Sequence, residues 1–217
     1  MAQEMWSAVD DYLNGIFVGP DSALEAALKA SEEAKLPQIN VSANQGKLLH
    51  LLAKVAGAKR ILEIGTLGGY SAIWLARALP SDGRLITLEF DPKHAKVARE
   101  NLARAGFAKQ VEVIEGKALD TLPKLAGPFD FIFIDADKSN IPAYFEWSLK
   151  LARSGSVIIV DNVIRDGKVI DTTGKDASVE GVRKFNAIVK AEKRVSATSI
   201  QTVGSKGYDG FCLIRVS

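Results

Sequence analysis

Arg60-Ile61-Leu62-Glu63-Ile64-Gly65-Thr66-Leu67-Gly68-Gly69-Tyr70-Ser71 runs from a short apolar strand through a glycine-rich turn into a helix. Residues 60–65 have the length and composition of a buried strand, and residues 71–79 have helical spacing that Pro80 ends. Glycines let the backbone turn sharply and come close to a ligand, while a helix N-terminus offers free N–H groups to an anion. Ser71 places a hydroxyl where it can meet a carboxylate. Glu63 sits inside the apolar strand, where an unpaired carboxylate is costly, so it is expected to hold backbone donors or a ligand amine.

Working outward, four more apolar runs recur at 84–90, 111–116, 129–136 and 156–163. Helical patterns lie between them, among them 92–105, with Asp91 as N-cap and Pro92 at the first helical position. Nearly continuous Ile, Val, Leu and Phe in strands separated by helices predict parallel strands covered on both faces. After a helix over 179–191 the rhythm changes. Strands at 197–203 and 210–216 are joined by Gly204-Ser205-Lys206-Gly207-Tyr208-Asp209, which is too short for a crossover helix. These two must pair antiparallel. The predicted fold is an α/β, doubly wound, seven-stranded mixed sheet with a C-terminal antiparallel hairpin. Upstream, Leu48, Leu49, Leu52 and Val55 mark a helix, and residues 1–40 read as short helical pieces broken at Gly19-Pro20 and Pro37. Residues 1–217 then form a single domain, a helical extension over 1–40 and a core over 41–217.

Composition narrows the class. The chain has 217 residues, of which 47% are hydrophobic and 25% charged, with a net charge of +2 that gives no broad pull toward nucleic acid. No apolar run approaches the roughly 20 residues that span a bilayer, and the N-terminus lacks signal-peptide character. A lone cysteine, Cys212, rules out an internal disulfide framework and fits a reducing compartment. The expectation is a cytoplasmic protein without membrane contact.

Acidic residues gather at the expected strand ends. Glu89 closes the second strand, where it can accept bonds from two ribose hydroxyls. The fourth ends Phe133-Ile134-Asp135-Ala136-Asp137-Lys138 and the fifth Val160-Asp161-Asn162. Ligands of open parallel sheets bind outside the carboxyl ends of neighbouring strands, so Asp135, Asp161 and Asn162 should converge. Hard oxygen donors without histidine or thiol suit Mg²⁺, Ca²⁺ or Mn²⁺. The alternative is that these residues only cap turns and helices. His50 and His94 lie on helices without a visible partner and are expected to be structural. An NAD(P)-dependent oxidoreductase would share the glycine loop and Glu89. The glycine spacing departs from G-x-G-x-x-G, however, and that reading leaves the paired carboxylates and the hairpin unexplained.

The motifs Leu62-Glu63-Ile64-Gly65, Gly68-Gly69-Tyr70-Ser71, Phe133-Ile134-Asp135-Ala136-Asp137-Lys138 and Asp161-Asn162 resemble those of the cation-dependent O-methyltransferases. That group includes the caffeoyl-coenzyme A enzymes and their bacterial relatives, with catechol O-methyltransferase more distant. The resemblance implies the Rossmann-like sheet of S-adenosylmethionine-dependent methyltransferases. It implies cofactor contacts at Val41, Glu63, Gly65, Thr66, Ser71, Glu89, Ala118 and Asp137, a metal (Mg²⁺, or Mn²⁺ or Ca²⁺) on Asp135, Asp161 and Asn162, and a homodimer. Lys138, with Asp135, is the expected catalytic group, taking the acceptor's proton or stabilising its oxyanion. Two departures stand out: Glu89 replaces the aspartate usual in plant members, and Val163-Ile164-Arg165-Asp166-Gly167 lacks their tryptophan–asparagine pair. The acceptor implied is a small catechol-like molecule, with a hydroxylated uridine of tRNA as the alternative. Residues 164–178, rich in glycine, threonine and charge, should form a mobile loop over it.

Overall fold

The computed structural model describes residues 1–217. Seven strands, β1 (Arg60–Ile64), β2 (Arg84–Glu89), β3 (Val111–Glu115), β4 (Phe129–Ile134), β5 (Ala152–Asp161), β6 (Val195–Gly204) and β7 (Gly207–Val216), form one sheet in the order β3-β2-β1-β4-β5-β7-β6. The first five are parallel, and β7 runs antiparallel to both β5 and β6. Helices are α1 (Ala2–Phe17), α2 (Ser22–Glu33), α3 (Ala43–Val55), α4 (Tyr70–Ala76), α5 (Pro92–Arg104), α6 (Ala118–Thr121), α7 (Ile141–Leu151) and α8 (Ala177–Ala191).

Strand side chains alternate between two apolar layers, as a sheet covered on both faces requires. Ile61, Leu85, Phe131, Phe133 and Ile159 pack with α2, α3, α4 and α5 through Leu24, Leu49, Ile73 and Leu102. Leu62, Ile64, Ile132, Ile134 and Val160 face the other way, onto Phe145 of α7 and Val182 and Phe185 of α8. The chain order reverses between neighbouring β1 and β4, which opens a crevice at their carboxyl ends. No helix is long and apolar enough to cross a membrane.

The strands end one or two residues earlier than their apolar runs do, and the leftover residues form the loops of the crevice. β5 starts before the expected Ser156: Phe129 pairs with Ala152 but Phe131 with Val157, so the strand carries an irregularity that periodicity cannot reveal. The hairpin is tighter than expected. Tyr208 and Asp209 pair with Val203 and Thr202, which leaves Ser205 and Lys206 as the turn, with Gly207 at φ +94°. Residues 1–40 hold two sustained helices, with Asp21 capping α2 by accepting the Leu24 N–H. α1 clasps the hairpin tip: Gln3 Nε2 donates to the Gly204 carbonyl at 2.9 Å, and Asp10 Oδ2 accepts the Ser205 N–H at 2.7 Å.

Candidate functional site

The carboxyl ends of β1 to β5 border a single cavity of about 870 Å³. Its floor is the loop after β1. Gly65, at φ +100°, lies so close to β4 that a Cβ would overlap the carbonyl oxygen of Asp135. Only glycine satisfies both demands. Glu89 clasps this loop from the end of β2: Oε2 accepts the N–H groups of Thr66 at 3.2 Å and Leu67 at 2.7 Å, and Oε1 accepts that of Asp91 at 2.9 Å. Leu67 is held at φ 50° by this clasp. His94 Nδ1 stands 3.5 Å from Glu89 Oε1 and lines the cavity, which corrects the expectation of a histidine without a partner. His50 has a partner too, the Trp74 carbonyl oxygen at 3.3 Å.

Glu63 lies beneath the floor, fully buried. The backbone donors expected for it are absent. Instead Thr87 Oγ1 donates to Oε2 at 2.6 Å, and the Thr66 hydroxyl lies 2.5 Å from Thr87 Oγ1. Because Thr87 gives its only proton to Glu63, Thr66 must be the donor of that second bond. Glu63 Oε1 has no hydrogen-bond partner. Burial pushes the carboxyl up to about 8, against the pull of the Ser71 and Thr87 hydroxyls, and the charges of Asp135 and Glu89 raise it further. Val41, Gly65, Thr66, Ser71, Glu89, Ala118 and Asp137 line the cavity, whereas Glu63 supports it from behind. Asp137 accepts the Tyr144 hydroxyl at 2.5 Å and Asn140 Nδ2 at 2.6 Å, so it is fixed from α7.

The other wall combines the ends of β4 and β5. Lys138 Nζ donates to Asp135 Oδ1 at 2.7 Å, and its side chain is only 11% exposed, so it is no surface lysine. Asp161 is buried. Its Oδ2 accepts Gln45 Nε2 at 2.6 Å, and its Oδ1 accepts the Asn162 N–H at 2.8 Å. Burial, and then the charge of Asp135, hold the Asp161 carboxyl far above the usual carboxylate range, with Lys138 opposing them. Asp135, Lys138 and Asn162 line the cavity, and Asp161 stands behind them.

No three His, Cys, Asp or Glu side chains cluster as a ready-made metal site. The set at the β4 and β5 ends is two carboxylates and an amide. Two acidic groups near each other, one buried, hold more negative charge than a single lysine offsets once both ionise. Hard oxygen donors short of positive charge fit a divalent cation.

Over this wall lies the segment after β5. Asn162, Arg165, Asp166 and Gly167 have φ of 58°, 56°, 55° and 79°. Asp209 Oδ1 accepts the N–H groups of Ile164 and Arg165, both at 2.9 Å. The start of the expected mobile loop is thus a tight left-handed turn tied to β7. At its far end α8 presses on the Lys138 turn, where a Cβ on Gly181 would overlap the Lys138 carbonyl oxygen. Gln45 and Asp209 went unrecognised in the sequence. Gln45 meets Asp161 across 116 residues, a pairing without local signal, and Asp209 looked like one more turn residue.

A family model described as O-methyltransferase matches residues 19–216. The chain is 54% identical over 220 residues to a catechol O-methyltransferase of Niastella koreensis, covering 100% of both. It is 56% identical over 209 residues to a catechol O-methyltransferase of Mycobacterium tuberculosis, covering 96% of this chain and 94% of that one. Among solved structures, an O-methyltransferase from Bacillus cereus in complex with SAH superposes with a TM-score of 0.98 at 56% identity, covering 99% of this chain and 100% of that one. TomG, an O-methyltransferase from Streptomyces achromogenes involved in tomaymycin synthesis and solved with SAM, gives 0.97 at 54% identity, covering 100% and 99%.

Proposed function

The chain belongs to the O-methyltransferase family, and from that premise we propose that it transfers a methyl group from S-adenosylmethionine to one hydroxyl of a catechol-like small molecule, with a divalent cation held by Asp135, Asp161 and Asn162. The observation that carries this reading is the continuity of the cavity, which joins the Gly65–Ser71 floor to the Asp135–Lys138–Asn162 wall.

The cofactor supplies an electrophilic methyl on a sulfonium. Ser71, on the cavity wall, is placed to donate to the cofactor's carboxylate, and Glu63, whose Oε1 is buried behind the floor without a partner, sets a carboxyl one layer behind the cofactor's ammonium. Glu89, already fixed by three backbone N–H groups, presents the one lone pair left on Oε1 to a ribose hydroxyl. Val41, Thr66, Ala118 and Asp137 complete the enclosure. A divalent cation on the acidic wall supplies a Lewis acid that lowers an acceptor hydroxyl from about 10, the value of a phenol. Lys138 takes the proton of that hydroxyl at Nζ or faces the resulting oxyanion, and Asp135 aims it. Excluding water and holding acceptor oxygen and methyl in line do the rest. Label transfer from methyl-labelled S-adenosylmethionine to a panel of catechols with Mg²⁺ tests the reading. Cofactor binding without transfer to any catechol would overturn it.

A pH dependence follows from Glu63. Its carboxyl in the unliganded protein sits at about 8, above the 4.5 of an exposed glutamate, so the folded protein keeps this proton where the unfolded chain has lost it. Its contribution to stability is therefore complete below about 4.5 and shrinks as pH rises toward 8. A cationic ligand over the floor reverses the preference, because a positive charge near the buried carboxyl favours its ionised form. S-adenosylmethionine should therefore bind more tightly as pH rises from 6 to 8 (roughly the window over which such a carboxyl ionises), releasing a proton. Calorimetry in two buffers of different ionisation enthalpy measures that release. No proton release, with an affinity flat in pH, would remove Glu63 from this role.

The homodimer belongs to the same proposal. Met5, Val9, Tyr12 and Ile16 form one stripe on α1 and are 64%, 46%, 69% and 53% exposed, while β6 beside them is an open sheet edge. An apolar stripe next to an unpaired edge is surface that a second copy would cover. Light scattering is expected to give a dimer, and Tyr12→Glu with Ile16→Glu a monomer.

A further inference from the structure

We propose that Arg165 selects the acceptor by its charge, so that the preferred catechol carries a carboxylate on its ring or side chain. This inference rests on the acceptor reading above and adds to it the chemistry of the acceptor's far end.

Arg165 lines the cavity beside Asn162, and its guanidinium makes no hydrogen bond. Its Nε is buried and unpartnered. The nearest carboxylate oxygen in an ion pair with it, Asp209 Oδ2, is 3.9 Å from Nη1, beyond hydrogen-bond reach. Asp209 Oδ1 is engaged by the backbone N–H groups of Ile164 and Arg165 itself. Asp176 also feels the charge of Arg165, but its Oδ1 caps α8 through the Ser178 and Val179 N–H groups. Both neighbouring acids thus hold backbone, and the guanidinium keeps its donors.

The other cations of the cavity differ. Lys138 is bonded to Asp135, His94 stands against Glu89, and Lys117 is exposed at the β3 end. Arg165 is the cation at the acceptor end with its donors free. Its backbone position also favours a purpose for this side chain. A non-glycine residue at φ 56°, followed by Asp166 at 55°, costs energy, and such strain persists where the surroundings enforce it. Asp209 enforces it here. A planar fork of N–H donors matches a carboxylate bidentately, and a partly enclosed wall strengthens the pairing.

The test compares protocatechuate with its neutral methyl ester, a pair that differs in charge and little else. In the wild-type enzyme kcat/KM should favour the acid. In Arg165→Gln the acid-to-ester ratio should fall by about 10- to 100-fold, the scale of a charge-assisted hydrogen bond. Arg165→Lys keeps the charge without the fork and should fall between. Both substrates meet the same enzyme preparation, so the ratio cancels any general loss of folded protein. If Arg165→Gln does not fold, the ratio in Arg165→Lys decides by the same criterion. Methylation of both substrates with an unchanged ratio overturns the role of Arg165 and leaves the acceptor reading standing. Methylation of neither overturns both.

Discussion

Asp161→Ala is expected to cut methyl transfer by about 10²–10³-fold, the scale on which loss of a fixed electrostatic stabiliser acts. It should also erase the response of the protein to Mg²⁺. Asp161 is buried beside Asp135, with only Lys138 nearby to offset the pair, so its carboxyl keeps a proton far above the usual range when no cation is bound. A divalent cation at this wall displaces that proton, so its affinity should rise with pH. At a hundredfold excess over its Kd a ligand adds about 2.7 kcal/mol to stability. For a domain of this size that corresponds to a rise in Tm of roughly 5–10 °C. The wild-type protein should show this rise on adding Mg²⁺ and Asp161→Ala should not. Alanine also leaves Gln45 Nε2 and the Asn162 N–H without their acceptor, at about 1–3 kcal/mol for each buried group. Asp161→Asn, which keeps an acceptor oxygen, separates that structural loss from loss of the cation. Full activity of the wild-type enzyme in excess chelator, or the same Mg²⁺ shift in both variants, would dismiss the metal.

The sheet was legible because its signals are local. Continuous apolar runs such as Phe131-Ile132-Phe133-Ile134 announce strands covered on both faces, and their spacing leaves room for helices. The short connection between the last two strands dictates their antiparallel pairing, although Tyr208 and Asp209 belong to the ladder and not to the turn. The carboxylates at the strand ends were legible for a topological reason: parallel strands carry their carboxyl ends to one edge, so Glu89, Asp135 and Asp161 had to share it. What stayed hidden is how each acid is held. Glu89 looked like a free ribose acceptor but first clasps the Thr66 and Leu67 backbone. Glu63 was rightly marked as a costly burial, yet its partners are hydroxyls, because Thr87 sits opposite it in the β1–β2 register. Gln45 and Asp209 reach the site from α3 and β7, and no spacing along the chain joins them to Asp161 or Arg165.

Lys138→Met should lower kcat by about 10²–10⁴-fold, the range of a positioned acid–base group, while affinity for the cofactor moves little. Geometry argues for this split. Nζ is 2.7 Å from Asp135 Oδ1 on the acceptor wall, and the side chain is 11% exposed, so methionine can replace the buried stem without leaving a large void. The cofactor floor is built from Gly65, Thr66, Ser71 and Glu89, none of which has Lys138 as a hydrogen-bond partner. An interaction made only in the transition state lowers kcat without demanding a change in KM. Single-turnover transfer to a catechol by Lys138→Arg distinguishes the two ways Lys138 can act. An arginine keeps a positive charge but takes up no proton, so the rate should stay low if Lys138 is the proton acceptor and recover in part if it faces the oxyanion. Gly181 supplies an independent check, because a Cβ there would push on the carbonyl oxygen of Lys138 from α8. Gly181→Ala should displace the turn and reproduce part of the kcat loss with the lysine still present. A Lys138→Met enzyme that matched the wild-type rate at every pH would leave activation of the acceptor to the Asp135–Asp161–Asn162 wall alone.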